Sequence, residues 1–241
     1  DCNAFAISTN NGSLMAINVT AKRSSLNSVQ VVDNGNLVAT DSDFSDGATL
    51  LVATGGSVSA NRLIMTNTTG DAIDARTGAT VSVPSADFSG SGVGIRARFG
   101  ASVDASGAIG VGCGFGVICE REAEVMVGES NFSLCGTGMF ATEEGVIRAY
   151  NASVSGSTST GLTVSNGGKI YASDINADNC ARALQATSSG EIRATGGSAI
   201  NRTSQNRVLS GGIIHATLLT TDNGVPGITD FSGGPTFNTW D

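Results

Sequence analysis

Five carboxylates lie close together in the middle of the chain: Glu120, Glu122, Glu124, Glu143 and Glu144. Glycoside hydrolysis needs two carboxyl groups about 5 to 9.5 Å apart, one as acid and the other as base or nucleophile. Glu122 and Glu144 are 22 residues apart, and a fold that stacks them would raise the pKa of one through like-charge repulsion, as an acid catalyst requires. With Glu120 they are the candidate catalytic groups. Arg121 stands among them, however, and solvated corners carry such charges without any reaction. Asp71, Asp74 and Asp87 are more widely scattered and form no better pair. The single histidine, His215, has no evident serine or cysteine partner, and there is no Gly-x-Ser-x-Gly or phosphate loop. The five cysteines, Cys2, Cys113, Cys119, Cys135 and Cys180, include no C-x-x-C pair, so no zinc spacing arises. No metal and no cofactor are expected.

A second set carries binding chemistry. Arg148, Tyr171, Arg193 and His215 follow one another at intervals of 23, 22 and 22 residues. Stacked on one surface they would offer flat rings and forked donors, the combination that grips sugar hydroxyls or carboxylates. The plainer reading is a solvated or intersubunit face with modest cation–ring stacking. Thirteen Lys and Arg against 21 Asp and Glu give a net charge of -8, which disfavours nucleic acid and anionic membranes as partners. No apolar run approaches the ~18 residues of a membrane span. The sequence begins Asp1-Cys2 without Met or leader and reads as a fragment or processed product.

These intervals belong to a repeat that covers most of the 241 residues. Aliphatic anchors fall at Leu14, Leu37, Val58, Val81, Val103, Val125, Ile147, Ile170, Ile192 and Ile214, spaced by 23, 21, 23, 22, 22, 22, 23, 22 and 22. Two places before each anchor stands Gly or Ala, as a tight corner requires, and two places after it stands Ala or Val, as on one face of a strand. Eight places before the anchor come Val29, Leu50, Ile73, Ile95, Val117, Met139, Leu162 and Leu184, and two further on Val31, Val52, Ala75, Ala97, Cys119, Ala141, Val164 and Ala186, which marks a second strand. Asn206 breaks this column in the last unit, and Ile7 is one place out in the first. Phe44, Met65, Phe88, Phe132 and Val154 share a third column and supply bulk. With 33 glycines and 5% aromatics, the core is narrow and built from small and β-branched groups.

Three short strands per ~22 residues, each with one inward face, describe a single-stranded, right-handed parallel β-helix of about ten coils. A left-handed form would want a six-residue period, and a β-sandwich would not keep one register over ten units. Coils fill residues 1–222, and residues 223–241, with two of the three prolines and Trp240, form a cap or subunit-contact tail. Cys113, Cys135 and Cys180 share a column, a free-thiol ladder or, for the first pair, a disulfide. Cys119 is core. Val93 with Phe115 and Ile118 with Phe140 put apolar groups on outward columns, the mark of a subunit interface that also includes Trp240. A trimer of parallel rods would bury that stripe once per subunit. The uniform coils leave no long loops to wall a cleft, which counts against an active site within one chain.

The Gly-x-Gly-aliphatic corners, Gly92-Val93-Gly94-Ile95 and Gly136-Thr137-Gly138-Met139, and the Gly/Ala-x-aliphatic-x-Ala strands over some 210 residues resemble the right-handed β-helix of bacteriophage tailspike and tail fibre proteins, a fold shared with the pectate-lyase-like superfamily. The resemblance implies a homotrimeric virion component that contacts other tail proteins and adsorbs to bacterial surface polysaccharide or lipopolysaccharide, sometimes cleaving it. No family catalytic carboxylate carries over, because no motif matches one. The expectation is therefore a structural, receptor-binding rod rather than an enzyme. The alternatives are a polysaccharide depolymerase using an intersubunit groove at Glu120, Glu122 and Glu144, and a secreted or cell-surface bacterial adhesin.

Overall fold

A computed structural model describes residues 7–23, 27–204 and 206–221. It is a right-handed parallel β-solenoid of about nine full turns, with no helix among the described residues. Residues 223–241, with Trp240, lie outside the described residues, so the proposed tail does too. Two sheets run the length of the rod. The first orders ten strands from Ile7–Asn10 to Arg207–Leu209, and the second stacks Ser13–Ile17 through Ile213–Thr217, with Thr220–Thr221 paired at its end. Every pairing is parallel and joins one coil to the next. Val103 lies opposite Val81 on one side and Val125 on the other, so residues one repeat apart are hydrogen-bonded neighbours at roughly 4.8 Å.

The expected third strand is reduced over most of the rod to a row of single bridges, running Thr20, Asp43, Ile64, Asp87, Ile109, Asn131, Ser153 and Asn176, and widens in the last coils to two-residue pairings of Ile175-Asn176 with Gly197-Ser198 and of Ser198-Ala199 with Thr220-Thr221. The cause is the corner spacing. From the anchor Leu14 to the anchor Ile192 each coil turns through left-handed residues four and nine places on, for example Asn151 (φ 49°) and Asn67 (φ 57°), leaving room between them for a ladder of two residues at most. Asn and Asp tolerate this region better than other side chains, which is why they recur there. Between the two sheets most coils use two successive left-handed residues, such as Asp33-Asn34 or Thr77-Gly78, but Asn11 and Gly55 stand alone. Those corners are one residue shorter, which corrects the inner column. Val29 aligns with Leu51 and Ile73, and Val31 with Ala53 and Ala75, so Leu51 and Ala53 take the places assigned to Leu50 and Val52. The same shortening aligns Ile7 with Val29.

Inward columns from both sheets and the bridge row meet in one continuous core. Phe44, Met65, Phe88, Phe132 and Val154 are fully buried, as are the anchors from Leu37 to Ile214. Gly110 interrupts the aromatic column because the Phe132 ring lies over it: a Cβ there would meet Cδ1 at 2.5 Å and Cε1 at 2.6 Å. Asn206 occupies the inner column of the last row, where its Oδ1 accepts from Leu184 N at 2.9 Å. Cys113, Cys135 and Cys180 are free and buried, with Ser91 and Ser157 completing their ladder. Each thiol donates to a carbonyl of the coil before it: Cys113 to Phe88 (3.3 Å), Cys135 to Gly110 (3.2 Å) and Cys180 to Val154 (3.2 Å). These bonds hold the sulfurs in one orientation. Burial pushes the Cys119 thiol up to about 12.

The outer face of the first sheet carries charge in layers. Asp71, Asp74 and Arg76 lie on the strand Asp71–Arg76, Arg96 and Arg98 on Val93–Arg98, and Glu120 just past Phe115–Cys119. Asp74 is 1% exposed and is held by Arg76 and by Arg98, whose Nη2 lies 2.9 Å from it. Arg96 Nε meets Asp71 at 3.0 Å. Burial outweighs that contact and raises the Asp71 carboxyl above the ordinary range.

Candidate functional site

The outer face of the second sheet brings the predicted binding residues together. Arg148 is paired with Tyr171, Tyr171 with Arg193, and Arg193 with His215, each on the next strand. The Arg148 guanidinium carbon lies 5.3 Å from the Tyr171 ring centre and that of Arg193 lies 6.0 Å away. The tyrosine is thus a spacer between two guanidinium groups, not an open stacking surface. Arg148 Nε donates to Glu124 Oε1 at 2.5 Å, and Arg193 Nε to Glu191 Oε1 at 2.5 Å. His215 Nε2 lies 3.9 Å from the same Glu191 oxygen. The arginine side chains are 53% and 60% exposed, so these pairs orient the groups more than they stabilise the fold.

Tyr150, three places after its anchor, supplies the open ring that the sequence reading missed. It folds back over Gly128 on the preceding coil, where a Cβ would fall 1.8 Å from the ring's Cζ, and it stays 40% exposed. The combination of an outward tyrosine with glycine 22 residues earlier was visible as a pair in one column. Tyr150, Ser173 and Thr195 edge an open groove of about 350 Å³ beside the arginines, which continues past Thr195 and Thr217 as a second hollow of about 300 Å³. The groove therefore follows the rod axis over four strands, with hydroxyls on one side and cations on the other.

The three candidate catalytic glutamates do not form one cluster. Glu122 and Glu144 share a corner groove of about 510 Å³ between the sheets, with Phe99, Arg121, Glu143 and Asn166. Arg121 lies 4.6 Å from the Phe99 ring centre and donates to Glu143 at 2.8 Å. All four corner residues, Arg121, Glu122, Glu143 and Glu144, adopt left-handed backbone, where half of the coils place one glycine. Glu120 faces away, onto the first sheet, with its carboxylate 3.8 Å from Arg96 and 3.9 Å from Arg98. A strand end separates it from the corner, so the cluster read from spacing is divided between two faces. Among the described residues no group of three or more His, Cys, Asp or Glu is disposed to hold a metal ion.

The outward apolar stripe is smaller than expected. Phe115 is 37% exposed and Phe140 half-buried, with ring centres 6.4 Å apart, but Val93 and Ile118 are buried within the chain. Their neighbours cover them: Ile118 lies between Arg96 and Phe140, and Val93 between Asp71 and Phe115. Trp240 falls outside the described residues.

No family model and no curated protein matches the chain. Among solved structures it is similar to the crystal structure of the TibC-catalyzed hyper-glycosylated TibA55-350 fragment, at 16% identity over 97% of this chain and 100% of that one, with a TM-score of 0.23. At that score the likeness carries no argument about function. What the chain itself establishes is a regular β-helical rod whose second-sheet face gathers arginine, tyrosine and histidine in one line.

Proposed function

We propose that this rod is a receptor-binding element of a virion tail fibre or tailspike, and that the second-sheet face adsorbs to bacterial surface polysaccharide or lipopolysaccharide. The observation that carries this reading is the uninterrupted row Arg148, Tyr171, Arg193 and His215, beside the open ring of Tyr150 and a line of hydroxyls. Sugars offer hydroxyls to forked donors and C–H faces to rings, and this groove presents both. The rest of the molecule supplies stiffness. Three rods in parallel, meeting through Phe115, Phe140 and their neighbours, would repeat the face threefold.

The test is binding of the purified chain to immobilised bacterial surface polysaccharides, together with its mass in solution. Binding that falls on Tyr150→Ala and on Arg148→Gln with Arg193→Gln supports the reading. Binding indifferent to all three removes it, and a monomer removes the trimer.

A depolymerase is the second reading, favoured by the corner groove that holds Glu122 and Glu144 beside Phe99. Release of reducing sugar from the bound polymer, lost in Glu122→Gln while binding persists, would establish it.

A further inference from the structure

We infer, resting on the polysaccharide reading above, that the second-sheet groove selects an acidic polysaccharide with a carboxylate on alternate sugars, laid along the rod axis. Arg148 and Arg193 are equivalent residues two rows apart, a separation of roughly 10 Å at the strand spacing of a sheet. Both guanidinium groups are anchored through Nε, Arg148 to Glu124 on the preceding strand and Arg193 to Glu191 on its own strand. Each stacks against one side of Tyr171. Nε is the inner donor, so the outer Nη groups remain for an incoming carboxylate, which pairs with guanidinium more strongly than a neutral hydroxyl does.

The spacing selects the repeat. In an extended sugar chain alternate residues face the same way, so carboxylates on every second sugar recur at about the length of a disaccharide. Two rows of the solenoid match that length. A carboxylate on every sugar would turn one of each pair away from the face, where no cation meets it and a chain of net charge -8 repels it.

The three cations Arg148, Lys169 and Arg193 and the carboxylates Glu124 and Glu191 occupy the columns beside the anchors, and the exposed carboxylates Glu129 and Asp174 stand at the adjoining corner, so the face as a whole is not cationic and the attraction is confined to the guanidinium groups themselves. Tyr150, pinned over Gly128, offers its free side to the sugar that follows.

The test compares three polymers against the folded chain: hyaluronan, in which glucuronate alternates with a neutral amino sugar; the same polymer with its carboxyl groups reduced to alcohols; and polygalacturonate, charged on every sugar. The expected result is binding of hyaluronan that weakens by about tenfold or more on carboxyl reduction, a loss of about 1.4 kcal/mol. Arg148→Gln with Arg193→Gln should abolish that preference without changing the melting temperature, since both side chains are more than half exposed. Tyr150→Ala should weaken the native and reduced forms alike.

Equal affinity for native and reduced hyaluronan, or a preference that survives the arginine substitutions, overturns the acidic selectivity and leaves polysaccharide binding standing. Tighter binding of polygalacturonate overturns the alternation. Failure to bind these polymers or any bacterial surface polysaccharide overturns both the selectivity and the reading it rests on.

Discussion

Phe132 and Gly110 give the sharpest test of the stacking, because they touch only if residues 22 positions apart lie directly over one another. Phe132 is fully buried, and its ring covers the site where a side chain at Gly110 would stand. Phe132→Ala should cost about 3–5 kcal/mol, the usual loss for emptying a buried phenylalanine site. Gly110→Ala should cost about 1–3 kcal/mol, because the new Cβ would fall 2.5 Å from ring carbon Cδ1 and must displace it. In the double variant the methyl enters space the ring has vacated, so that overpacking disappears. The two losses should then fall short of additivity by about 1–3 kcal/mol, nearly the whole of the Gly110→Ala penalty. Urea unfolding of the four proteins, followed by far-UV circular dichroism, gives the cycle directly. Losses that add to within about 0.5 kcal/mol would mean the residues do not meet, and the coil register would be wrong.

Four further outcomes are expected. Gly128→Ala should push the Tyr150 ring off the second-sheet face, lowering polysaccharide affinity at nearly unchanged stability, as titration beside a melting curve would show. The buried thiols of Cys113, Cys119, Cys135 and Cys180 should not react with an aromatic disulfide reagent until denaturant is added, and non-reducing peptide maps should contain no Cys113–Cys135 link. Cys119 keeps its proton to about pH 12 when folded and releases it near the ordinary thiol value of 9 when unfolded, so its stabilising contribution is present below pH 9 and is lost as pH rises through that window. The fall in melting temperature above pH 9 should accordingly be shallower in Cys119→Ala. Asp74→Ala, which strips Arg76 and Arg98 of a carboxylate 1% exposed, should cost about 3 kcal/mol by chemical denaturation; Asp41→Ala, which breaks an exposed pair with Arg62, should cost under about 1 kcal/mol.

The anchors were legible because a stacked fold writes its own neighbours into the sequence: Val81, Val103 and Val125 are a column on paper and a column in space. Arg148, Tyr171, Arg193 and His215 came through for the same reason. The register of Leu50 and Leu51 did not. Counting back from Val58 cannot tell on which side of the corner a residue is missing, and only the lone left-handed Gly55 reveals it. The third strand is shortened because two tight corners, written as scattered Asn, Asp and Gly, cut it to single bridges over most of the rod and to two-residue pairings in the last coils. Glu120 was misplaced because its side chain follows Arg96 and Arg98 across the first sheet, a matter of reach rather than spacing. The Asp74–Arg96 pairing one repeat apart was readable and was passed over, as was the Tyr150 ring above Gly128.

The layered charges on the first sheet bear on how such a rod can lengthen. Most of its units are interchangeable in shape, so duplicating or deleting one elsewhere only shifts like onto like. Removing the unit that carries Arg96 and Arg98 would instead set Asp71 against Phe115 and Asp74 against Ile118, stripping Asp71 of Arg96 and leaving the buried Asp74 only its own strand's Arg76, at a cost of several kcal/mol. Growth and trimming by whole units should therefore be accepted towards either end and refused around these three strands, which act as a fixed segment in an otherwise modular chain.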